Sequence, residues 1–492
     1  MTVINIVLGY FQYLWHWIVE NAFYINILFG FAVVFMQRKK PTSVWAWLLV
    51  LYFIPLLGFF LYLAIGYNYL KKRMFRTKEI EDKLNAEIKK QGEIIRRQET
   101  PIDAEYQDYK DMILYNLEYA QSIYTTDNDV TIFTDGNDKF NDLIKEIRNA
   151  KEYIHMQYYI ISKGELFDRI FHELEKKVEE GVEVRIMYDG MGGRDIGERN
   201  YYKLKHSKIK FGVFFPPVLG RFNLRFNYRN HRKIVVIDGK IGYVGGFNVG
   251  DEYIDKNKKF GHWRDTHLKI TGTAVTELQI RFVLDWNYAT GENLFQEDKY
   301  FKSHFSGRGN KVGMQIVSSG PDSKREEIRN NYIRMITKAK KSIYIQTPYF
   351  IPDEPMIQAL QMAAMSGIDV RIMIPCKPDH PFVYWTTYSY AGELLEYGAK
   401  VYCYDNGFLH AKGLIVDGIV CSYGTANMDI RSFELNFEVN AVIYNRRISQ
   451  QLEQIFLNDL NKCSELTKYD YDRRSLIIRF KEQISRLLSP LL

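Results

Sequence analysis

Ten residues of this chain stand at matched offsets in two places. His231, Lys233, Asp238, Gly245 and Asn248 lie in HRKIVVIDGKIGYVGGFN, and His410, Lys412, Asp417, Gly424 and Asn427 lie in HAKGLIVDGIVCSYGTAN. Five positions repeated at one spacing are not an accident of a lysine-rich chain. The residue types suit phosphodiester chemistry. A phosphodiester is an anion that repels nucleophiles, and its alkoxide is a poor leaving group. One neutral imidazole can attack phosphorus while a second, protonated, donates to the leaving oxygen. Histidine serves both roles because its ordinary pKa of about 6.5 lies near working pH. Two ammonium groups and two side-chain amides can hold the non-bridging oxygens, where charge builds. His231 with His410, Lys233 with Lys412, and Asn248 with Asn427 supply that set, so no metal and no other cofactor is expected.

These side chains need strands to present them. The run before each Asp is apolar, IVVI at 234–237 and GLIV at 413–416, and Asp-Gly follows both times. That predicts a buried strand ending in a tight turn. On a strand, His and Lys at i and i+2 share a face. Each half can therefore present one His–Lys pair to a shared cleft. Asp238 and Asp417 belong to the motif, but pairing with a lysine or capping the turn suits them better than direct chemistry. His155, His206 and His262 lack such neighbours and read as ordinary core or surface histidines.

The halves repeat further. KEYIHMQYYI (151–160) is similar to KSIYIQTPYF (341–350), and GVEVRIMYD (181–189) to GIDVRIMIP (367–375). DRIFHELEKKVEEG (168–181) and PMIQALQMAAMSG (355–367) read as helices ending at Gly. Each half reads strand, helix, strand, then motif strand. This predicts an α/β fold of two similar domains, 126–305 and 306–492, each a mixed sheet flanked by helices, related by a pseudo-two-fold with the site on their interface. Residues 71–125 read as a linker, charged and helical over 68–100, with a second helix over 105–125.

Residues 1–70 differ in kind and read as a membrane anchor. Ser43 to Tyr67 carries no charge and is long enough to span a bilayer; a second span is expected over 17–36. No charged n-region or cleavage site marks a signal peptide. Basic clusters at 38–40 and 71–73 flank the second segment, and the larger group puts the body in the cytoplasm. Two full spans then place the first cluster outside. Pro55 and Gly58 offer a kink or re-entry that keeps both inside.

With 46% apolar and 25% charged residues, the composition is that of a globular protein, and 492 residues suffice for two full cores. The net charge of +7 suits an anionic partner, lipid or nucleic acid. Four cysteines, at 376, 403, 421 and 463, form neither a disulfide framework nor a zinc spacing. RFNLRFNYRNHRK sets Arg221, Arg225, Arg229 and Arg232 beside His231, interleaved with aromatics; a headgroup contact, nucleic acid and a solvated loop all fit. PPV at 216–218 reads as a rigid loop. The tail RRSLIIRFKEQISRLLSPLL (473–492) has apolar residues near helical spacing, for docking on the core or lying in a membrane interface.

At the two motifs the chain resembles the phospholipase D superfamily, with H-x-K-x4-D followed by G-[GST]-x-N. NYRNHRKIVVIDG, GGFNVGDEY, HAKGLIVDG, GTANMDIRSFELNFE, the stretch SVWAWLLVLYFIPLLGFFLYLAIG and the terminal LLSPLL are similar to bacterial cardiolipin synthases. The resemblance implies transfer of a phosphatidyl group from one phosphatidylglycerol to another through a phosphatidyl-histidine, with loss of glycerol. It implies His231 as nucleophile and His410 as acid/base, and a carboxylate behind each, carried by position to Asp265 and Glu438. It implies a multi-pass protein of the cell membrane acting on anionic phospholipid, not nucleic acid. Hydrolysis by the same site, a tethered nuclease, or an inactive lipid scaffold are the competing readings. The apolar anchor argues against the nuclease, and intact His, Lys and Asn in both halves against the scaffold.

Overall fold

Apolar strands repeated in two halves need a sheet covered on both faces, and among the described residues both halves share one large sheet. The computed structural model describes residues 9, 12–14, 16–36, 41–63, 89–97, 102–216, 227–302, 311–323, 325–377, 379–487 and 489. Arg221, Arg225, most of PPV, most of LLSPLL and most of the expected linker helix lie outside them. The described residues form two compact units, one holding the N-terminal helices and the other most residues from 89 onward.

In the larger unit the first half contributes β1 (Thr125–Phe133), β2 (Tyr153–Tyr158), β3 (Glu183–Asp189), β4 (Lys210–Phe214), β5 (Ile234–Ile237), β6 (Ile241–Gly245) and β7 (His267–Thr271). The second contributes β8 (Val312–Ser319), β9 (Ser342–Gln346), β10 (Asp369–Pro375), β11 (Lys400–Tyr404), β12 (Gly413–Val416), β13 (Val420–Gly424), β14 (Asn436–Tyr444) and β15 (Cys463–Leu466). They lie in the order β15-β11-β10-β9-β12-β13-β14-β8-β1-β7-β6-β5-β2-β3-β4. The order is a palindrome about the β8–β1 seam, with β15 added at one edge. Strands β2, β3 and β4 run parallel and β5 antiparallel to β2, giving the mixed sheet expected. The halves are joined by backbone hydrogen bonds at the seam, where Thr125 lies opposite Met314.

Helices cover the sheet. Two of them, α3 (Glu165–Glu179) and α5 (Glu354–Met365), match the expected segments; α4 (Ala274–Thr290), α6 (Pro381–Leu394), α7 (Arg446–Leu460) and α8 (Leu476–Leu487) complete the set used below. Acidic Glu165 and Asp168 open α3, and Lys176 and Lys177 close it, complementing the helix dipole. Leu166, Phe167, Ile170, Phe171 and Leu174 give α3 its buried stripe. The Asp353 side chain caps α5 by accepting from the Met356 amide. The second linker helix is a 3-10 turn, Ala104–Tyr109, running into a helix over Lys110–Tyr119, and the described 89–96 is helical.

In the smaller unit the helices are broken where two spans were expected. No helix among the described residues is by itself long and apolar enough to cross a membrane. The first segment is a helix over 12–20 bent by 71° against α1 (Ala22–Met36). The second is α2 (Pro41–Phe53), which stops ahead of Pro55, and a short helix over Leu57–Leu61. Pro55 has no N–H and disfavours helix at the residue before it. The Leu51 carbonyl that such an N–H would have met accepts instead from Asn26 Nδ2 at 2.7 Å. The Leu56 amide donates to Asn26 Oδ1 at 3.5 Å. Asn26 thus fills both vacancies at the break, and Phe29 stacks on Phe59 beside it.

Candidate active site

Two short parallel bridges between the halves bring the chemistry together. Residues Arg229–Asn230 pair with Asn436–Phe437 of β14, and Trp263–Arg264 pair with Phe408–Leu409. The next residue along each is a site residue. His231 N–H donates to the Phe437 carbonyl at 2.9 Å, and His410 N–H to the Arg264 carbonyl at 2.7 Å. This register sets His231 beside Glu438 and His410 beside Asp265. The His231 Nδ1 lies 3.0 Å from both Glu438 oxygens, and the His410 Nδ1 lies 2.6 Å from Asp265 Oδ2. Each histidine is held by a carboxylate from the opposite half. A carboxylate only accepts, so Nδ1 carries the proton and Nε2 keeps its lone pair.

The carboxylates are themselves pinned, in two different ways. Glu438 accepts from Thr425 Oγ1 at 2.6 Å and Ser432 Oγ at 2.9 Å. Asp265 accepts from the Thr266 amide at 2.7 Å. Gly246 holds the place that Thr425 holds in the second half. A Cβ on Gly246 would meet Asp265 Oδ1 at 1.9 Å. The G-G of one motif and G-T of the other therefore record two carboxylates of different reach.

Both histidines, Asn248 and Asn427 line one cleft of about 610 Å³, walled by Tyr159, Tyr253, Trp263 and Tyr349 and floored in part by Arg229, Asp429 and Arg431. The Tyr159 ring stands edge-on to His231, and Trp263 lies beside His410, each with centroids 5.1 Å apart. Asn248 Oδ1 accepts from the Ile160 amide at 3.1 Å and its Nδ2 donates to Tyr253 Oη at 3.0 Å. Asn427 Nδ2 donates to Asp429 at 3.1 Å. Lys233 Nζ donates to the His231 carbonyl at 2.7 Å, and Lys412 Nζ makes the same bond to His410. Tyr159, Trp263 and Asp429 were not singled out by their spacing, although Trp263 sits two residues ahead of Asp265 on the same strand face; Arg229, one of the four arginines set beside His231 in the sequence, sits two ahead of His231 in the same way and does line the cleft.

Burial shapes the charges. It lowers both imidazoles below their ordinary range, His410 to about 3, with the Lys412 charge adding to the effect. Burial likewise drops Lys233 to about 7 and Lys412 to about 8, although Glu438 and Asp265 pull the other way. For Glu438 burial opposes ionisation, but the His231 ring and the Lys233 charge outweigh it and the carboxyl stays low. Asp265 stays low in the same way through Lys412 and His410.

Other motif residues fall elsewhere. Asp238 and Asp417, grouped with the catalytic set by the motif, do not reach the cleft. They sit in the hairpin turns at the far ends of β5 and β12, with φ of 52° and 55° ahead of Gly239 and Gly418. Asp238 accepts from the amides of Lys151, Glu152 and Tyr153, and Asp417 from those of Lys340, Lys341 and Ser342. These bonds also fix the repeat: Lys151 matches Lys340, one residue from the alignment read in the sequence. Arg232 is no headgroup contact either. It is buried, bonded to Asp285 of α4 at 2.6 Å and to Ser318 Oγ at 2.6 Å. Arg264 meets Asp459 of α7 at 2.7 Å, and Gln157 and Gln346 donate to the same two aspartates. His155 is buried against Gln279, His206 is exposed, and His262 is half-buried with its Nδ1 2.7 Å from Asp255.

A duplicated α/β unit whose two His-x-Lys motifs meet in one cleft defines the phospholipase D-like class. The domain description "Cardiolipin synthase, PLD-like domain" matches residues 143–278 and 332–460, and "Phospholipase D-nuclease N-terminal" matches 25–66. The chain belongs to the cardiolipin synthase family of phospholipase D-like proteins. It is 51% identical over 476 residues to cardiolipin synthase 2 of Staphylococcus epidermidis, covering 96% of this chain and 97% of that one. It is 52% identical to cardiolipin synthase of Staphylococcus aureus, covering 96% of each. It is 49% identical to that of Oceanobacillus iheyensis, covering 96% and 98%. In fold it is similar to phosphatidylserine synthase of Haemophilus influenzae, with a TM-score of 0.58 at 16% identity over 74% of this chain and 95% of that one.

Proposed function

We propose that the protein makes cardiolipin in the membrane by passing a phosphatidyl group from one phosphatidylglycerol to another. The observation that carries this reading is the pair of carboxylate-held imidazoles lining one cleft. His231 Nε2 attacks phosphorus, the bond to the headgroup glycerol breaks, and His410 gives its Nε2 proton to the departing oxygen. The phosphodiester anion, binding beside the His410 ring, favours the form protonated at Nε2. Glycerol leaves. A hydroxyl of a second phosphatidylglycerol then gives its proton to His410 and attacks the phosphatidyl-histidine, forming cardiolipin and freeing His231. Lys233, Lys412, Asn248 and Asn427 hold the non-bridging oxygens, and Glu438 and Asp265 fix the ring tautomers. Asp238 and Asp417 take no step in it.

The longer Glu438, with its Thr425 and Ser432 support, favours His231 as the residue that becomes covalently cationic. The apolar side chains facing outward from α1 and α2 suit acyl chains, and the break at Pro55 supports re-entry, with the body in the cytoplasm. The test is lipid analysis of the purified protein in phosphatidylglycerol micelles beside His231→Ala and His410→Ala. Cardiolipin plus free glycerol, lost in both variants, is expected. Phosphatidic acid without cardiolipin would make the protein a hydrolase. A phospholipid adduct trapped on His410 rather than His231 would reverse the two roles.

A further inference from the structure

Helix α8 is packed inside out for a protein surrounded by water. Leu476, Ile477, Phe480, Ile484 and Leu487 fall within an arc of about 100° at 3.6 residues per turn. That arc faces outward, with Leu476 81%, Phe480 67% and Leu487 77% exposed. The opposite side, turned to the protein, carries Glu482 and Ser485, both buried. Glu482 is held by Arg474 at 2.9 Å. In water the helix would gain by rotating its apolar stripe inward.

Basic residues edge the stripe. Arg479 lies along one side and Lys481 along the other, both exposed, in the positions from which long side chains reach lipid headgroups. Arg473 and Arg486 lie on the same segment, and its acid Glu482 is buried. Helix α8 packs along α6: Arg486 pairs with Glu393 at 2.5 Å, and Lys481 stands 5.2 Å from the Trp385 ring. The first turn of α6 is part of the cleft, through Pro381, Phe382 and Val383, and Phe382 is exposed.

We propose that the outer face of α8 is a docking surface for an anionic lipid bilayer, which takes up the apolar stripe to headgroup depth and brings the α6 rim of the cleft to the membrane. The surface lies beyond the matched domain residues, on the last helix of the larger unit. It rests in part on the lipid-processing reading given above. Two measurements on the full chain, reconstituted in vesicles of phosphatidylglycerol and phosphatidylcholine, test it. A bimane label is placed at Phe480→Cys, with Glu175→Cys on α3 as control, both in a Cys376→Ser, Cys463→Ser background. Brominated lipid is expected to quench the label at 480 and leave the one at 175 bright; equal brightness at both would overturn the proposal. Separately, Ile477→Glu with Phe480→Glu is expected to cut cardiolipin output on vesicles by about 10-fold or more. Turnover of a short-chain phosphatidylglycerol below its micellar concentration stays within about 2-fold. An equal loss on both substrates would assign α8 a structural role instead, and no loss on vesicles would also overturn the proposal. Wild type that makes no cardiolipin from either substrate would defeat the enzymatic reading and leave the quenching result standing.

Discussion

Exchanging the carboxylate behind either histidine for its amide keeps the shape and removes the charge. Glu438→Gln or Asp265→Asn can offer Nδ1 a donor in place of an acceptor and so turn the ring to the wrong tautomer. A fall in kcat of about 10²–10⁴-fold is expected, with an unchanged melting curve; activity near wild type would remove the carboxylates from the mechanism. Gly246→Ala acts on the same group from behind, because its Cβ would overlap Asp265 Oδ1 at 1.9 Å. Moving that carboxylate by about 1 Å costs about 10²-fold, whereas Thr425→Ser keeps the hydroxyl and most of the rate. The lysines set the pH response. Their ammonium forms are lost as pH rises through about 7 for Lys233 and about 8 for Lys412. The alkaline limb of kcat/KM is therefore expected near pH 7–8, well short of an ordinary lysine at about 10.4. Stability has the opposite sign. Above these values the unfolded chain binds more protons than the folded one, so folding strengthens up to about pH 10. Activity that holds flat to pH 9.5 would contradict both lysine assignments.

At the scale of elements, each Asp-Gly turn ties its motif hairpin to the start of the neighbouring strand. Asp238→Ala leaves three amides without their acceptor, one of them buried, and is expected to cost about 2–4 kcal/mol. Asp417→Ala costs less, because two of its three bonds are exposed. Denaturant titration reads the loss, and the folded fraction of either variant keeps its kcat within about 3-fold. A catalytic aspartate would show the reverse. In the N-terminal unit, Asn26→Leu removes both partners at the Pro55 break and lowers the free energy of unfolding, read by titration in detergent, by roughly 1 kcal/mol. Much of this scale was legible beforehand. Unbroken apolar runs ahead of each Asp-Gly gave the motif strands, and Gly181 and Gly367 marked the ends of the paired helices. Over 43–67 hydropathy alone suggests a single span because it sums side chains, whereas the break, signalled by Pro55 and Gly58, is set by one missing backbone N–H. Arg232 was misread for want of parity: Arg229, His231 and Lys233 alternate with it, so it points to the opposite side.

At the scale of the molecule, the shared cleft followed from duplication alone, since one chain bearing two half-sites must bring them together. The palindromic shared sheet did not follow, because no local pattern tells Thr125 of β1 to pair with Met314 of β8, 189 residues further along the chain. The crossing of histidines and carboxylates was equally hidden; it depends on two-residue bridges, Arg229–Asn230 and Trp263–Arg264, too short to leave a periodic signal. That crossing bears on the history of the chain. A duplicated gene ordinarily frees one copy to decay while the other works. Here Asp265 serves the histidine of the second half and Glu438 that of the first, so damage to either copy is felt by its twin. Neither half can become a passenger, and selection holds both to the same standard.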